Sequence, residues 1–218
     1  MTVCDYILVH QIEELRPLSI VDFGAGAGKN GQIVRATPGD SVRITAVEGH
    51  PKTARMLASQ KVYDQVDEAL IQDWMTANRN QYDLAIFGDV LEHLTTGEIH
   101  RVMSHCLKSF KAIIIVCPLH EIFQDEAYGN PLEIHHSYIT EDFFDRYDCR
   151  EKHIVRSGAW IIMNVLIDAQ SVPASLTNRL AWGIFHRVVM LLQPFGLARP
   201  LVSFLKKRFL KYKWILGR

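Results

Sequence analysis

The sequence has no apolar run long enough to cross a bilayer. Over its 218 residues the longest stretches free of Asp, Glu, Lys and Arg are eleven residues, 157–167 and 188–198, whereas a spanning helix needs about 20. Paired cysteine spacing is missing too. Cys4, Cys106, Cys117 and Cys149 form no C-x-x-C, which argues against a disulfide framework or a zinc ribbon and leaves them as thiols in or near the core. No H-E-x-x-H occurs, although His120-Glu121 begins one, and no His or Asp spacing matches a metal site, so no metal is expected. The first residues lack a basic segment followed by an apolar run and carry Asp5, Glu13 and Glu14 instead. No secretory signal is read there, and a cytoplasmic location is expected. With 22% charged residues, 13 glycines and 8 prolines, disorder, collagen and coiled coil are poor descriptions.

Negative charge is absent from one end. No acidic residue follows Asp168, yet nine basic ones do, so the first 168 residues carry a net charge of −9 and the last fifty +9. Two regions are expected, 1–168 and a basic, apolar helical extension over 169–218. Within 201–215, at 100° per residue, Leu201, Val202, Phe204, Leu205, Phe209 and Tyr212 share one face, with Lys206, Lys207, Lys211 and Lys213 mostly opposite. Residues 171–218 are therefore expected to make peripheral contact with an anionic surface, at the inner face of a membrane, or to pack on the chain itself or on a partner subunit.

What the first region does contain is alternation. Short apolar runs at 19–23, 43–47, 69–71, 84–87 and 112–116 are continuous rather than alternating, as parallel strands buried on both faces are. Helical stretches at 30–36, 53–60 and 98–110 separate them, the last capped by Thr95 or Thr96. This predicts an α/β doubly wound, mostly parallel sheet. Near the end of the region, 153–156 and 160–167 flank Ser157-Gly158, a hairpin that adds an antiparallel strand.

Residues 20–31, Ile-Val-Asp-Phe-Gly-Ala-Gly-Ala-Gly-Lys-Asn-Gly, give a strand, a glycine-rich turn and a helix start. Such a turn lets the backbone approach a ligand and offers amide N–H groups at the positive end of a helix. Two ligand classes fit. Residues 26–31 read literally as G-x-G-x-x-G, with Glu48 about 20 residues on to grip a ribose, the pattern of a dinucleotide site. The alternative frame is Asp22-x-Gly24-x-Gly26-x-Gly28, in which Asp22 would meet an ammonium that a dinucleotide lacks. A Walker A loop fails, because Asn30 follows Lys29.

Four segments in order, IVDFGAGAGKNG, AVEGH, LIQDW and YDLAIFGDVLEHL, resemble the signature of class I S-adenosylmethionine-dependent methyltransferases. The resemblance covers about residues 3–168. It implies a seven-stranded sheet with an antiparallel last strand, in agreement with the hairpin read above. It also implies S-adenosylmethionine as cofactor and S-adenosylhomocysteine as product. On that resemblance Asp22, Gly24 and Gly26 would hold the amino-acid end of the cofactor, and Gly28 would give the helix room to pack. Glu48 would accept from both ribose hydroxyls, with Gly49 and His50 beside the adenine. Asp73 would accept from the adenine amino group with Trp74 against the ring, and Gly88 and Asp89 would border the reacting sulfonium.

Methyl transfer needs alignment and, for many acceptors, removal of a proton, for which histidine is suited. His93, His120, His135 and His136 stand where strand ends could face a substrate, and His136, His135 and His93 are the candidate catalytic residues. The segment 129–138 resembles, loosely, the substrate side of bacterial methyltransferases that modify glycans or small metabolites. The expected acceptor is thus a small or glycan-like molecule, methylated on oxygen before nitrogen or carbon. Nucleic acid is disfavoured by the −9 charge and by Gly-Asp-Val-Leu at 88–91, where base-methylating enzymes carry Asn-Pro-Pro-Tyr. Two other classes compete. An NAD(P)-dependent oxidoreductase would want Tyr-x-x-x-Lys, which none of the seven tyrosines begins. A catalytically inactive S-adenosylmethionine-binding module at a membrane surface differs only in activity.

Overall fold

A computed structural model describes residues 2–37, 41–119, 124–127, 129–157 and 160–169. The expected tail helices over 169–218, apart from Ala169, lie outside these residues, as does His120. The strands are β1 (Ser19–Phe23), β2 (Arg43–Glu48), β3 (Gln65–Glu68), β4 (Tyr82–Gly88), β5 (Phe110–Pro118), β6 (Cys149–Ser157) and β7 (Trp160–Asp168). They form one sheet in the order β3-β2-β1-β4-β5-β7-β6. The first five pair in parallel, and β7 runs antiparallel to both β5 and β6. The doubly wound sheet and its terminal hairpin are as the sequence predicts.

The helices are α1 (Val3–Leu15), α2 (Lys29–Ala36), α3 (Pro51–Gln60), α4 (Ile71–Ala77) and α5 (Thr96–Ser109). Thr95 caps α5 in a capping box with Glu98, which satisfies two amide groups the first turn would otherwise leave open. Helix α1 starts on a second such box, Thr2 with Asp5, and ends on Arg16 in a left-handed conformation. Among the described residues no helix is long and apolar enough to cross a membrane.

One expected strand departs from the sequence reading. The run 69–71 is not a strand; β3 is the more polar Gln65–Glu68, and Ile71 already starts α4. Tertiary pairing beside β2 outweighs local composition here.

Successive side chains of β1 point to opposite faces of the sheet. On one face Val21 and Phe23 join Phe87, Trp74 and Phe110 in a fully buried cluster. Phe23 stacks on Phe87 at 4.8 Å between ring centroids and meets Trp74 edge-on at 5.3 Å. On the other face Ile20 packs with Ile44, Ile86, Leu57 and Tyr63. Cys4, Cys106 and Cys117 are buried and Cys149 half-buried, all as free thiols. Burial pushes the Cys4 thiol up to about 11, so it is no nucleophile at neutral pH.

Phe23 has aromatic neighbours on three sides, and no small side chain can recover that contact. Phe23→Ala is expected to lower the free energy of unfolding by about 3 to 5 kcal/mol, measured by urea denaturation. A loss below about 1 kcal/mol would mean that the aromatic cluster does not hold the sheet.

Candidate functional site at the strand ends

The strand order reverses between β1 and β4, so their carboxyl ends diverge and leave a crevice, the usual ligand position in such sheets. The loop 24–28 leaves β1 at this point. Gly24, Gly26 and Gly28 all have positive φ, at 61°, 53° and 83°, a region open to glycine and costly for other residues. At Gly24 a Cβ atom would also lie 2.6 Å from a Val90 methyl, so the loop and the segment after β4 touch backbone to side chain.

Asp22 sits just before the loop with 1% of its surface exposed. Its carboxylate accepts from the Tyr63 hydroxyl at 2.6 Å and from the Asn30 amide nitrogen at 3.0 Å. Tyr63 in turn accepts from the Gly31 amide at 3.2 Å. A Cβ at Gly88 would meet the Asn30 side chain at 2.6 Å, so Asn30 is wedged between β1 and the end of β4. Tyr63 and Asn30 were not singled out from the sequence; Asn30, eight residues from Asp22 on the first turn of the following helix, offered a signal.

Glu48, ending β2, is buried and bidentate. One oxygen accepts from the Gly26 amide at 2.9 Å, the other from the His50 amide at 2.8 Å. The carboxylate thus fastens the second strand to the glycine loop. His50 turns its ring toward α3, with Nδ1 2.8 Å from the Thr53 hydroxyl. Gly49 is walled in: a Cβ there would lie 2.9 Å from side-chain carbons of both Leu70 and Leu132. Those leucines are 44% and 41% exposed. They come from separate segments, and the sequence reading passed over them.

Asp73 and Trp74 need correction. Because β3 ends at Glu68, both fall within α4 instead of at a strand end. Asp73 is exposed in the first turn, where its charge suits the helix dipole. Trp74 is a core residue, packed on Phe23, with its indole N–H donated to Asp67 at 2.7 Å. Ala69 and Leu70 follow β3 in their stead.

After β4, Gly88 is followed by Asp89, exposed and held at φ 54°, and by the short 3₁₀ turn Leu91–His93. Chain from beyond β5 returns to this turn. The backbone carbonyl of Glu92 accepts from the amides of His136 and Ser137 at 2.9 and 3.1 Å. The Ser137 hydroxyl donates to Leu94 at 2.7 Å. His93 and His135 meet edge-on with ring centroids 4.8 Å apart, and His136 is exposed. Burial pulls the His93 imidazole below its usual range. Burial, with the nearby Asp89 charge, pushes the Glu92 carboxyl up to about 8. Linear spacing contains no metal signature, yet one ligand atom each from Glu92, His93 and His135 lies within 4.8 Å of the others.

No family model and no curated protein matches the chain. Solved structures do. The N-terminal domain of EvdMO1, crystallised in the presence of SAH and D-fucose, is 13% identical with TM-score 0.55, over 76% of this chain and 82% of that one. TehB from Haemophilus influenzae is 13% identical with TM-score 0.57, over 76% and 62%. The magnesium protoporphyrin IX methyltransferase of Synechocystis PCC 6803, with bound SAM, is 14% identical with TM-score 0.53, over 76% of each chain. The chain has the class I methyltransferase fold.

Burial raises the Asp22 carboxyl from the ordinary carboxylate range to about 6, against the opposing pull of its two donors. The folded state therefore holds this proton more tightly than the unfolded chain. Its contribution to folding is greatest below about pH 4 and is lost as the pH rises through about 6. Relative to Asp22→Asn, the wild type is expected to lose about 2 kcal/mol of unfolding free energy between about pH 4 and pH 7. Parallel urea titrations of the two proteins measure it, and a constant difference would refute the assignment.

Proposed function

We propose that this chain is an S-adenosylmethionine-dependent methyltransferase acting on an oxygen, before a nitrogen or carbon, of a small-molecule acceptor. The observation that carries the reading is the buried, bidentate Glu48 at the end of the second strand, joined to a glycine loop with three positive φ angles. Solved proteins of this fold carry SAH or SAM, which supports the same cofactor here in preference to NAD. A net −9 over the first 168 residues favours a neutral or cationic acceptor over a polyanion.

When bound, S-adenosylmethionine supplies a methyl group already activated on a sulfonium. The chain's own part is binding, orientation and proton removal. Glu48 holds the ribose hydroxyls, its two acceptor oxygens matching two neighbouring donors. The carbonyls of Gly24 and Gly26 hold the amino-acid end, their amides being donated to the Val47 carbonyl and to Glu48. Asp22 is a positioning residue that acts through Asn30. Leu70 and Leu132, closed over Gly49, offer an exposed apolar surface of the kind a purine packs on. Gly88 and Asp89 line the reacting centre, where a carboxylate favours a positive charge. His136, exposed on the loop bound to Glu92, takes the acceptor's proton.

Titration calorimetry with S-adenosylhomocysteine and with NAD tests the cofactor. The first is expected to bind and the second not. Glu48→Ala is expected to weaken S-adenosylhomocysteine at least tenfold, since a charge-assisted hydrogen bond contributes about 1.5 to 3 kcal/mol. Glu48→Gln, of the same shape, keeps the comparison valid if the alanine variant unfolds. Tight NAD binding, or unchanged affinity in a folded Glu48→Ala, would refute the assignment. In a methyl-acceptor screen with an active acceptor, His136→Ala is expected to lower kcat about 10²-fold or more and leave S-adenosylhomocysteine affinity unchanged. Full turnover would remove His136 from the reaction.

A further inference from the structure

Glu92 presents a problem that the fold alone does not solve. The residue is 3% exposed, and its Oε2 atom has no hydrogen-bond partner among the described residues. A buried carboxylate oxygen left in this state is costly, and native structures retain one where something else satisfies it. Its neighbours are two imidazoles, His93 on the same 3₁₀ turn and His135 from a loop 43 positions later in the chain.

We infer that Glu92, His93 and His135 form a binding site for one divalent transition-metal ion. The three ligand atoms already lie within 4.8 Å of one another. Ligand atoms sharing an ion at bond lengths of about 2.1 Å stand roughly 3 to 3.5 Å apart, so an approach of about 2 Å or less brings the three onto one ion.

The backbone beneath them is fixed in place. The carbonyl of Glu92 takes two amides from the His135 loop, Ser137 ties that loop to Leu94, and the His135 amide donates to the Gln124 carbonyl at 3.1 Å. His93 Nδ1 lies 3.3 Å from the Ile134 carbonyl. With Nδ1 donating there, Nε2 carries the lone pair, which is how metal-bound histidines are commonly oriented. The Asp89 and Glu133 carboxylates both act on Glu92 and add to the attraction for a cation.

Two imidazoles and one carboxylate select zinc, cobalt, iron(II) or manganese over magnesium or calcium, which prefer all-oxygen shells. Three protein ligands leave positions open on the ion. Its catalytic role rests on the methyl-transfer reading, whereas its binding does not. An acceptor hydroxyl coordinated there becomes more acidic and yields its proton to His136. The oxygen then forms its bond to the methyl carbon as the carbon–sulfur bond breaks. The products are the methyl ether and S-adenosylhomocysteine, with the ion unchanged.

The test uses the full-length, untagged protein, stripped with chelator and titrated with Co²⁺. Visible ligand-field absorption is expected to saturate at one equivalent. Glu92→Gln and His135→Asn are each expected to weaken Co²⁺ at least 100-fold, with circular dichroism showing the fold intact. His136→Asn is expected to keep one equivalent at parent affinity. If Glu92→Gln fails to fold, the half-exposed His135 still reports. No absorption at millimolar Co²⁺, or equal affinity in folded Glu92→Gln and His135→Asn, would overturn the site. Co²⁺ binding without S-adenosylhomocysteine binding would retain the metal site and reject the methyl-transfer reading; the reverse result would do the opposite.

Discussion

A single buried carboxylate organises the mouth of the sheet. Asp22 stands at the end of the central strand, where solvent is excluded, and its two oxygens can be satisfied only by donors the fold brings to it. Tyr63 approaches from the segment before β3, and Asn30 from the first turn of α2. Each donor is then committed: Tyr63 also receives the Gly31 amide, and Asn30 fills the space beside Gly88. The position of α2, the shape of the glycine loop and the gap between β1 and β4 therefore follow from one desolvated charge. Glu48 repeats the logic one strand away, taking its donors from the main chain.

The opposite side of the crevice is built on different terms. There the turn after β4 and the loop at 134–137 are joined by backbone hydrogen bonds to one carbonyl, that of Glu92. Side chains add to these bonds, the Ser137 hydroxyl reaching Leu94 and the His93 ring the Ile134 carbonyl, and two histidines and a carboxylate converge on the joint. A joint made largely of main-chain bonds tolerates exchange of the side chains around it.

The sequence disclosed what is local. The glycine loop, the run of β1 and the Thr95 cap are each specified by a few adjacent residues, and the structure has them where expected. The third strand is hidden from a reading of composition, because 69–71 is apolar while the edge strand Gln65–Glu68 is mostly polar. That shift moved Trp74 from an expected ligand contact into the aromatic core. Helix α1 is absent from the sequence reading, although Thr2 and Asp5 carry its capping box. The meeting of Glu92 with His135 depends on how a long connection returns after β5, and no spacing rule encodes that. Tyr63 was hidden for the same reason, being 41 residues from the carboxylate it serves.

The two leucines over Gly49 belong to different mechanical parts. Leu70 is anchored next to β3 and α4, whereas Leu132 rides on the Pro131–Glu133 turn, three residues ahead of His135. A side chain at position 49 would have to part them, and Leu132 shares its short stretch of chain with His135. The packing over Gly49 and the position of His135 are therefore joined through one short turn.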